Sequence, residues 1–470
     1  MLHVSTRGEA PAVGFTDAML TGLARDSGLY LPEAWPALAR ETIADFAGRR
    51  YADVAKSVLG ALVDDIAPAD LDRMIEASYA AFRHPAVCPL AQIGDNLFVL
   101  ELFHGPTLAF KDVAMQLLGR LMDYVLKARG ARATIVGATS GDTGSAAVEA
   151  FKGLDQVDIF ILYPHGRVSD VQRRQMTTIA SPNVHALAVE GTFDDCQTMV
   201  KGMFNHARFR DELQLSGVNS INWARVAAQA VYYFTAAVAL GSPHRPVSFS
   251  VPTGNFGDIL AAYVAKRMGL PIERLMIGTN ANDILARTLA SGTYEMKGVE
   301  PTTSPSMDIQ ISSNFERLLF EAYGRDGGAV RRLMASLNQS RAFAIDAEPL
   351  ARIRKDFTAT AVNEDNVVAE MAETYRSTGY VLDPHSAVGT RAGRALLKDD
   401  PHTPVVALST AHPAKFPDAV ERATGIRPAL PPHMADLMER KESFTILPND
   451  QAAVERFIRE RARAVRGAAA

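Results

Sequence analysis

The chain has 470 residues, 47% apolar and 22% charged, the proportions of a folded globular protein and too long for one ordinary domain. A net charge of −4 gives no reason to expect a nucleic-acid partner or an anionic membrane surface, and 33 glycines and 25 prolines exclude a collagenous or disordered class. Only Cys88 and Cys196 are present, far apart and outside any His-rich cluster, which argues against a disulfide framework or a structural zinc site; with no apolar leader and no stretch of transmembrane length, the expectation is a cytoplasmic protein that needs no metal.

Residues 1–93 read as a mostly helical α+β domain. A capped helix is expected over 15–23, a short strand over 28–32, and helical patterns over 41–59 (with 51–60 a helix in its own right) and 69–83. No chemistry is visible there, and a packing or covering role is expected. A strand at 96–101 leads into His104-Gly105-Pro106-Thr107-Leu108-Ala109-Phe110-Lys111-Asp112, after which apolar residues recur at helical spacing. Strands follow at 133–137, 158–162 and 184–189, alternating with helices from about 145, over 169–180 and over 193–206. The second half repeats the alternation. It has strands at 247–251 and 275–279, each followed by a helix, a Thr/Ser/Pro-rich loop at 296–314 that is either ordered or mobile, a mostly helical stretch at 315–376, a late strand at 405–409 and a basic helix at 451–466. Such alternation implies parallel sheets covered by helices, with ligands beyond the carboxyl ends of the strands.

Lys111 sits where a loop becomes a helix. The positive end of the helix dipole and the apolar neighbours Ala109 and Phe110 both disfavour its ammonium, and a lysine so placed is suited to condense with a carbonyl cofactor. Gly254-Asn255-Phe256-Gly257-Asp258 joins a strand to a helix, and its glycines let backbone N–H groups close on an anion such as a phosphate. Asp258 would repel that anion if its carboxylate faced it, so it is expected to cap the helix or order the loop. Thr139-Ser140-Gly141-Asp142-Thr143-Gly144-Ser145 is a second strand-to-helix loop, fit for a carboxylate; it lacks the lysine of a P-loop and the spacing of a dinucleotide fingerprint. One such lysine with two anion cradles fits pyridoxal phosphate and an amino-acid substrate.

These segments closely resemble those of the threonine synthase family, members of the tryptophan-synthase-β-like (fold type II) group of pyridoxal-phosphate enzymes. The resemblance rests on HGPTLAFKD at 104–112, GATSGDTGSAA at 137–147 and VPTGNFGD at 251–258, with further similarity at 22–32, 279–283 and 409–416, and runs from about residue 4 to about 425. It implies an α/β protein with two parallel-sheet domains behind the amino-terminal domain. The catalytic core is expected over 94–425, with a smaller subdomain roughly at 115–215 and a carboxy-terminal helical extension at 426–470. It implies conversion of O-phospho-L-homoserine and water to L-threonine and phosphate by a monomer or homodimer. Lys111 is then the Schiff-base lysine and proton carrier. Gly254, Asn255, Phe256 and Asp258 hold the cofactor phosphate, Thr410 meets the pyridine nitrogen, and Ser140, Gly141, Asp142 and Thr143 hold the substrate carboxylate. The Asp142 side chain is expected to turn away from that carboxylate. Arg225, Lys415 and Arg317 are candidates for the substrate phosphate, Arg225 foremost. His104, His385 and His412 are read as structural. A serine/threonine dehydratase, a phosphohomoserine phospho-lyase and a cofactor-binding protein without turnover are the alternatives.

Overall fold

A computed structural model describes residues 1–464, which divide into two compact units. The first comprises residues 1–18, 23–110 and 220–428. Its centre is a six-stranded sheet in the order Phe357–Ala361, Ile272–Thr279, Val247–Pro252, Val405–Ser409, Leu97–Glu101 and Leu90–Gly94. All neighbours are parallel except the last pair, an antiparallel hairpin. Val247–Pro252 and Val405–Ser409 are buried throughout, as strands covered on both faces must be. The helix Pro384–Asp399 lies along these strands, close enough that a Cβ on Gly389 would stand 2.9 Å from Pro252 Cδ. The helix Trp223–Ala239 packs against Tyr51–Gly60 and Gly257–Arg267. At the amino terminus His3–Ser5 pairs with Tyr30–Pro32, and Arg7 forms a salt bridge with Glu316 at 3.2 Å.

The second unit comprises residues 19–22, 111–219 and, among the described residues, 429–464. Its five-stranded sheet is wholly parallel, in the order Thr445–Leu447, Val184–Val189, Val157–Pro164, Ala133–Ala138 and Leu215–Ser216. The helices Lys111–Ala128 and Asp142–Phe151 pack so closely that a Cβ on Gly119 would stand 2.7 Å from the Ala150 carbonyl oxygen. The end of the chain contributes both an edge strand and the helix Gln451–Arg461, whose Val454 and Ile458 join the core of Phe160, Leu187 and Met203. Positions 465 and 466 of the helix expected over 451–466 lie outside the described residues, as does the end of the 426–470 extension.

Several elements depart from the sequence reading. The stretch 315–376 holds four helices, but Phe357–Ala361 between them is an edge strand of the main sheet, and Ala342–Ala344 is another short strand. The five residues Phe-Thr-Ala-Thr-Ala carry alternating β-branched side chains, a strand signal submerged by the helical patterns on either side. The helix Trp223–Ala239 was not expected because it is buried on nearly every side and shows no polar face. Residues 41–59 form two helices, Arg40–Ala44 and Tyr51–Gly60, separated by Gly48 at φ 72°. Among the described residues no helix is long and apolar enough to cross a membrane, and no group of three or more His, Cys, Asp or Glu side chains is placed to hold a metal ion.

Candidate active site

Lys111 is the first residue of the helix Lys111–Ala128 and is buried, at 8% exposure. The loop before it is pinned to the segment that follows the strand Val405–Ser409. Phe110 N–H donates to the Thr410 carbonyl at 2.9 Å, His412 N–H donates to the Leu108 carbonyl at 3.0 Å, and Lys415 Nζ donates to the Thr107 carbonyl at 2.8 Å. Leu108 adopts φ 62°, an uncommon conformation for a branched side chain, and is held there by this pairing. The peptide bond preceding the lysine is therefore fixed.

Within the second unit, Lys111 Nζ stands 3.5 Å from Asp142 Oδ2. The apolar surroundings expected from Ala109 and Phe110 are thus supplemented by a buried carboxylate. Asp142 opens the helix Asp142–Phe151, and its other oxygen accepts from Gln172 Nε2 at 2.9 Å. Its side chain is directed at Gln172 and Lys111. Thr139 Oγ1 accepts from both Gly141 N–H, at 3.0 Å, and Gly144 N–H, at 2.9 Å. Gly141 consequently supplies space rather than a donor: at φ 145° its Cβ would stand 2.4 Å from Gln172 Cδ. The N–H groups of Ser140 and Thr143 take no partner among the described residues.

The loop 254–258 lies wholly in the first unit. Its first two carbonyls are turned toward the 312–314 segment. Gly254 O accepts from Ser312 Oγ at 2.7 Å, and Asn255 O accepts from Asn314 N–H at 3.1 Å and Nδ2 at 3.0 Å. Phe256, at φ 61°, buries its ring against Phe315 and Phe357. With the carbonyls committed, the N–H groups of Gly254, Asn255, Phe256 and Gly257 take no partner among the described residues, at the amino-terminus of the helix Gly257–Arg267. Successive unpaired N–H groups at a helix start form a cradle for an anion. Asp258 does not cap this helix. Its Oδ1 accepts from the Tyr232 and Tyr233 hydroxyls, the latter at 2.7 Å, which turns the negative charge into the core. The 296–314 loop is ordered by a polar cluster in which Asp308 Oδ1 accepts from Asn280, Asn282 and Thr302.

Thr410 is nearly buried. Its N–H donates to Ser386 Oγ at 3.2 Å, and its hydroxyl makes no hydrogen bond among the described residues. Arg225 is buried on the helix Trp223–Ala239; burial lowers its pKa to about 10, so it stays charged at neutral pH. Arg317 is committed elsewhere. Its guanidinium donates to the carbonyls of Tyr30, at 2.9 Å, and Ile221, at 2.7 Å, and to Asn314 Oδ1, and it lies over the Trp223 ring. Burial lowers its pKa to about 9, and its contacts tie three chain segments together. The histidines are also engaged. His104 meets Glu101 at 2.6 Å, His385 meets Asp383 at 2.9 Å, and His412 Nδ1 accepts from Ala414 N–H at 3.1 Å, with burial lowering the His412 pKa to about 4. Gln172, Tyr232, Tyr233, Asp383 and Ser386 escaped the sequence reading. Only Asp383-Pro384 carried a local signal, an N-cap followed by proline at the first helical position.

Profiles described as "Threonine synthase N terminus", "Pyridoxal-phosphate dependent enzyme" and "Threonine synthase, C-terminal" match residues 2–79, 85–333 and 386–458. The chain is 53% identical over 460 residues to the threonine synthase of Pseudomonas aeruginosa, covering 97% of this chain and 98% of that one. It is 44% identical to the threonine synthase of Saccharomyces cerevisiae, covering 90% and 89%. Among solved structures, pyridoxal-phosphate-bound threonine synthase from Brucella melitensis superposes with a TM-score of 0.96 at 62% identity, covering 98% of this chain and 100% of that one.

Proposed function

Because the chain belongs to the threonine synthase family and is a pyridoxal-phosphate enzyme, we propose that its substrate is O-phospho-L-homoserine, which it converts with water to L-threonine and phosphate, and that the residues described above carry the reaction. The residues fit the cofactor. Four consecutive N–H groups suit a phosphate, a buried primary amine suits an aldehyde, and a neutral hydroxyl at Thr410 suits a pyridine nitrogen. The observation that carries the reading is the run of N–H groups from Gly254 to Gly257, with the Gly254 and Asn255 carbonyls held by Ser312 and Asn314.

In this reading Gly254, Asn255, Phe256 and Asp258 hold the cofactor phosphate through the backbone, while Tyr232 and Tyr233 keep the Asp258 carboxylate from opposing it. When bound, the cofactor supplies a sink for electrons released at the substrate Cα. Ser140, Asp142 and Thr143 hold the substrate carboxylate by N–H groups, and Gly141 leaves room for the Gln172 side chain that holds Asp142. Lys111 Nζ takes the proton from Cα. A second proton leaves Cβ and phosphate departs from Cγ; after protonation at Cγ, water adds at Cβ and Lys111 returns a proton to Cα. Asp142, 3.5 Å from that amine, stabilises it whenever it carries the proton. Arg225, charged despite burial, neutralises the substrate phosphate.

Product analysis tests this reading. Phosphohomoserine should yield threonine and phosphate in equal amounts; 2-oxobutanoate in place of threonine would overturn it in favour of a phospho-lyase. Arg225→Gln should raise KM about tenfold or more while cofactor affinity stays unchanged, since a charged hydrogen bond to the substrate alone is lost. An unchanged KM would remove Arg225 from the site.

A further inference from the structure

Asp383 is fully buried at the start of the helix Pro384–Asp399. Its oxygens cap that helix by accepting from His385 N–H at 2.9 Å and Ser386 N–H at 3.2 Å. They also receive two side chains, each of which leads on to an element assigned above to the cofactor.

The first side chain is His385, whose Nδ1 lies 2.9 Å from Asp383 Oδ1 and whose Nε2 lies 3.3 Å from Ser306 N. A backbone N–H can only donate, so Nε2 carries no proton and Nδ1–H donates to the carboxylate. Ser306 is the residue whose carbonyl oxygen a Cβ on Gly254 would meet at 3.0 Å. His385 therefore secures the segment that backs the 254–257 loop. The second side chain is Ser386, whose hydroxyl donates to Asp383 Oδ2. With its single hydrogen so used, Ser386 Oγ has two lone pairs to offer. It accepts Thr410 N–H at 3.2 Å and stands 2.9 Å from Ser409 Oγ. Thr410 is thus held by its N–H to Ser386 and by its carbonyl to Phe110 N–H.

We propose that Asp383 is a positioning residue for the cofactor: one buried carboxylate that, through His385 and Ser386, sets both the segment backing the phosphate loop and the hydroxyl at Thr410. An ionised carboxylate suits the task because both oxygens must accept. An amide would aim a donor at a group that is itself donating. The inference rests on the assignment of Thr410 and the 254–257 loop to the cofactor.

The two arms can be cut separately in the holoenzyme. Ser386→Ala should change the pH dependence of the bound cofactor's visible absorbance and lower kcat about tenfold, with cofactor affinity nearly unchanged. His385→Leu should weaken cofactor affinity about tenfold and leave that absorbance profile as it was. Asp383→Asn should show both effects. In a Thr410→Val background, Ser386→Ala should add no further spectral change, because it acts through Thr410. If Ser386→Ala and His385→Leu move the same readouts together, the carboxylate is only structural and the proposal falls. It falls also if Ser386→Ala leaves the absorbance profile intact while Thr410→Val alters it. If Thr410→Val itself changes nothing, the assignment of Thr410 fails, and the proposal with it.

Discussion

Under the proposed assignment of Lys111 as the residue that bonds the cofactor, replacing it with alanine should lower kcat by at least about 10³-fold and abolish the visible absorbance which that bond would give the bound cofactor. Lys415, the buried lysine of the first unit, is committed to the Thr107 carbonyl, to which its Nζ donates at 2.8 Å. The same substitution also strips Asp142 of a cation, since the two side chains are 10% and 4% exposed and 3.5 Å apart. Asp142 keeps the hydrogen bond from Gln172 Nε2 but loses the nearby cation, so Lys111→Ala should also melt at a lower temperature than the wild type. The two consequences can be separated. Adding Asp142→Asn to Lys111→Ala removes the charge that has lost its cation, keeps an acceptor for Gln172 and should recover part of the lost stability without restoring turnover. Turnover near the wild-type rate in Lys111→Ala would end the proposed mechanism; a double variant as unstable as the single would refute the pairing.

Gly254→Val should weaken cofactor binding between about 10- and 100-fold, equivalent to about 1–3 kcal/mol of overpacking. The added Cβ would stand 3.0 Å from the Ser306 carbonyl oxygen and 3.2 Å from Met307 Cα, and both are backbone atoms that cannot swing aside. The sequence suggests a side chain intruding on the phosphate itself. The structure gives a different route: the side chain meets the 306–307 segment, and the loop must move to relieve it. Asn255 and Phe256 N–H groups would shift with it, because Asn255 O is tied to Asn314. Equilibrium titration of the apoenzyme with pyridoxal phosphate measures the effect. An affinity equal to that of the wild type would refute the loop's assignment.

Much of the fold was legible because it is local. Lys111 opens its helix, and 133–138, 247–252 and 405–409 are strands, because each shows its own apolar period and its own glycine or proline boundary. The strand at 357–361 was not legible. Its place is decided by pairing with Ile272–Thr279, some eighty residues earlier, and a parallel edge leaves no nearby turn to announce it. The helix Trp223–Ala239 was hidden for the opposite reason, since burial all round erases the periodic contrast on which such readings depend.

The candidate site divides in the same way. Sequence alone offered the residue types on which the proposed chemistry draws: an amine at a helix start, two strand-to-helix loops rich in small residues and, through the family resemblance, a hydroxyl after the strand 405–409. Those are properties of short stretches, although distant segments such as 410–412 and 312–314 hold the loops in place. Tertiary structure alone decided how their charges and donors are used. It paired Asp142 with Lys111, aimed Asp258 at two tyrosines, committed Arg317 to carbonyls of distant segments and made Asp383 a junction between His385 and Ser386. A hydrogen bond between residues tens or hundreds of positions apart leaves no periodic trace in the chain. Its existence depends on which groups burial has deprived of water and brought within about 3 Å of each other.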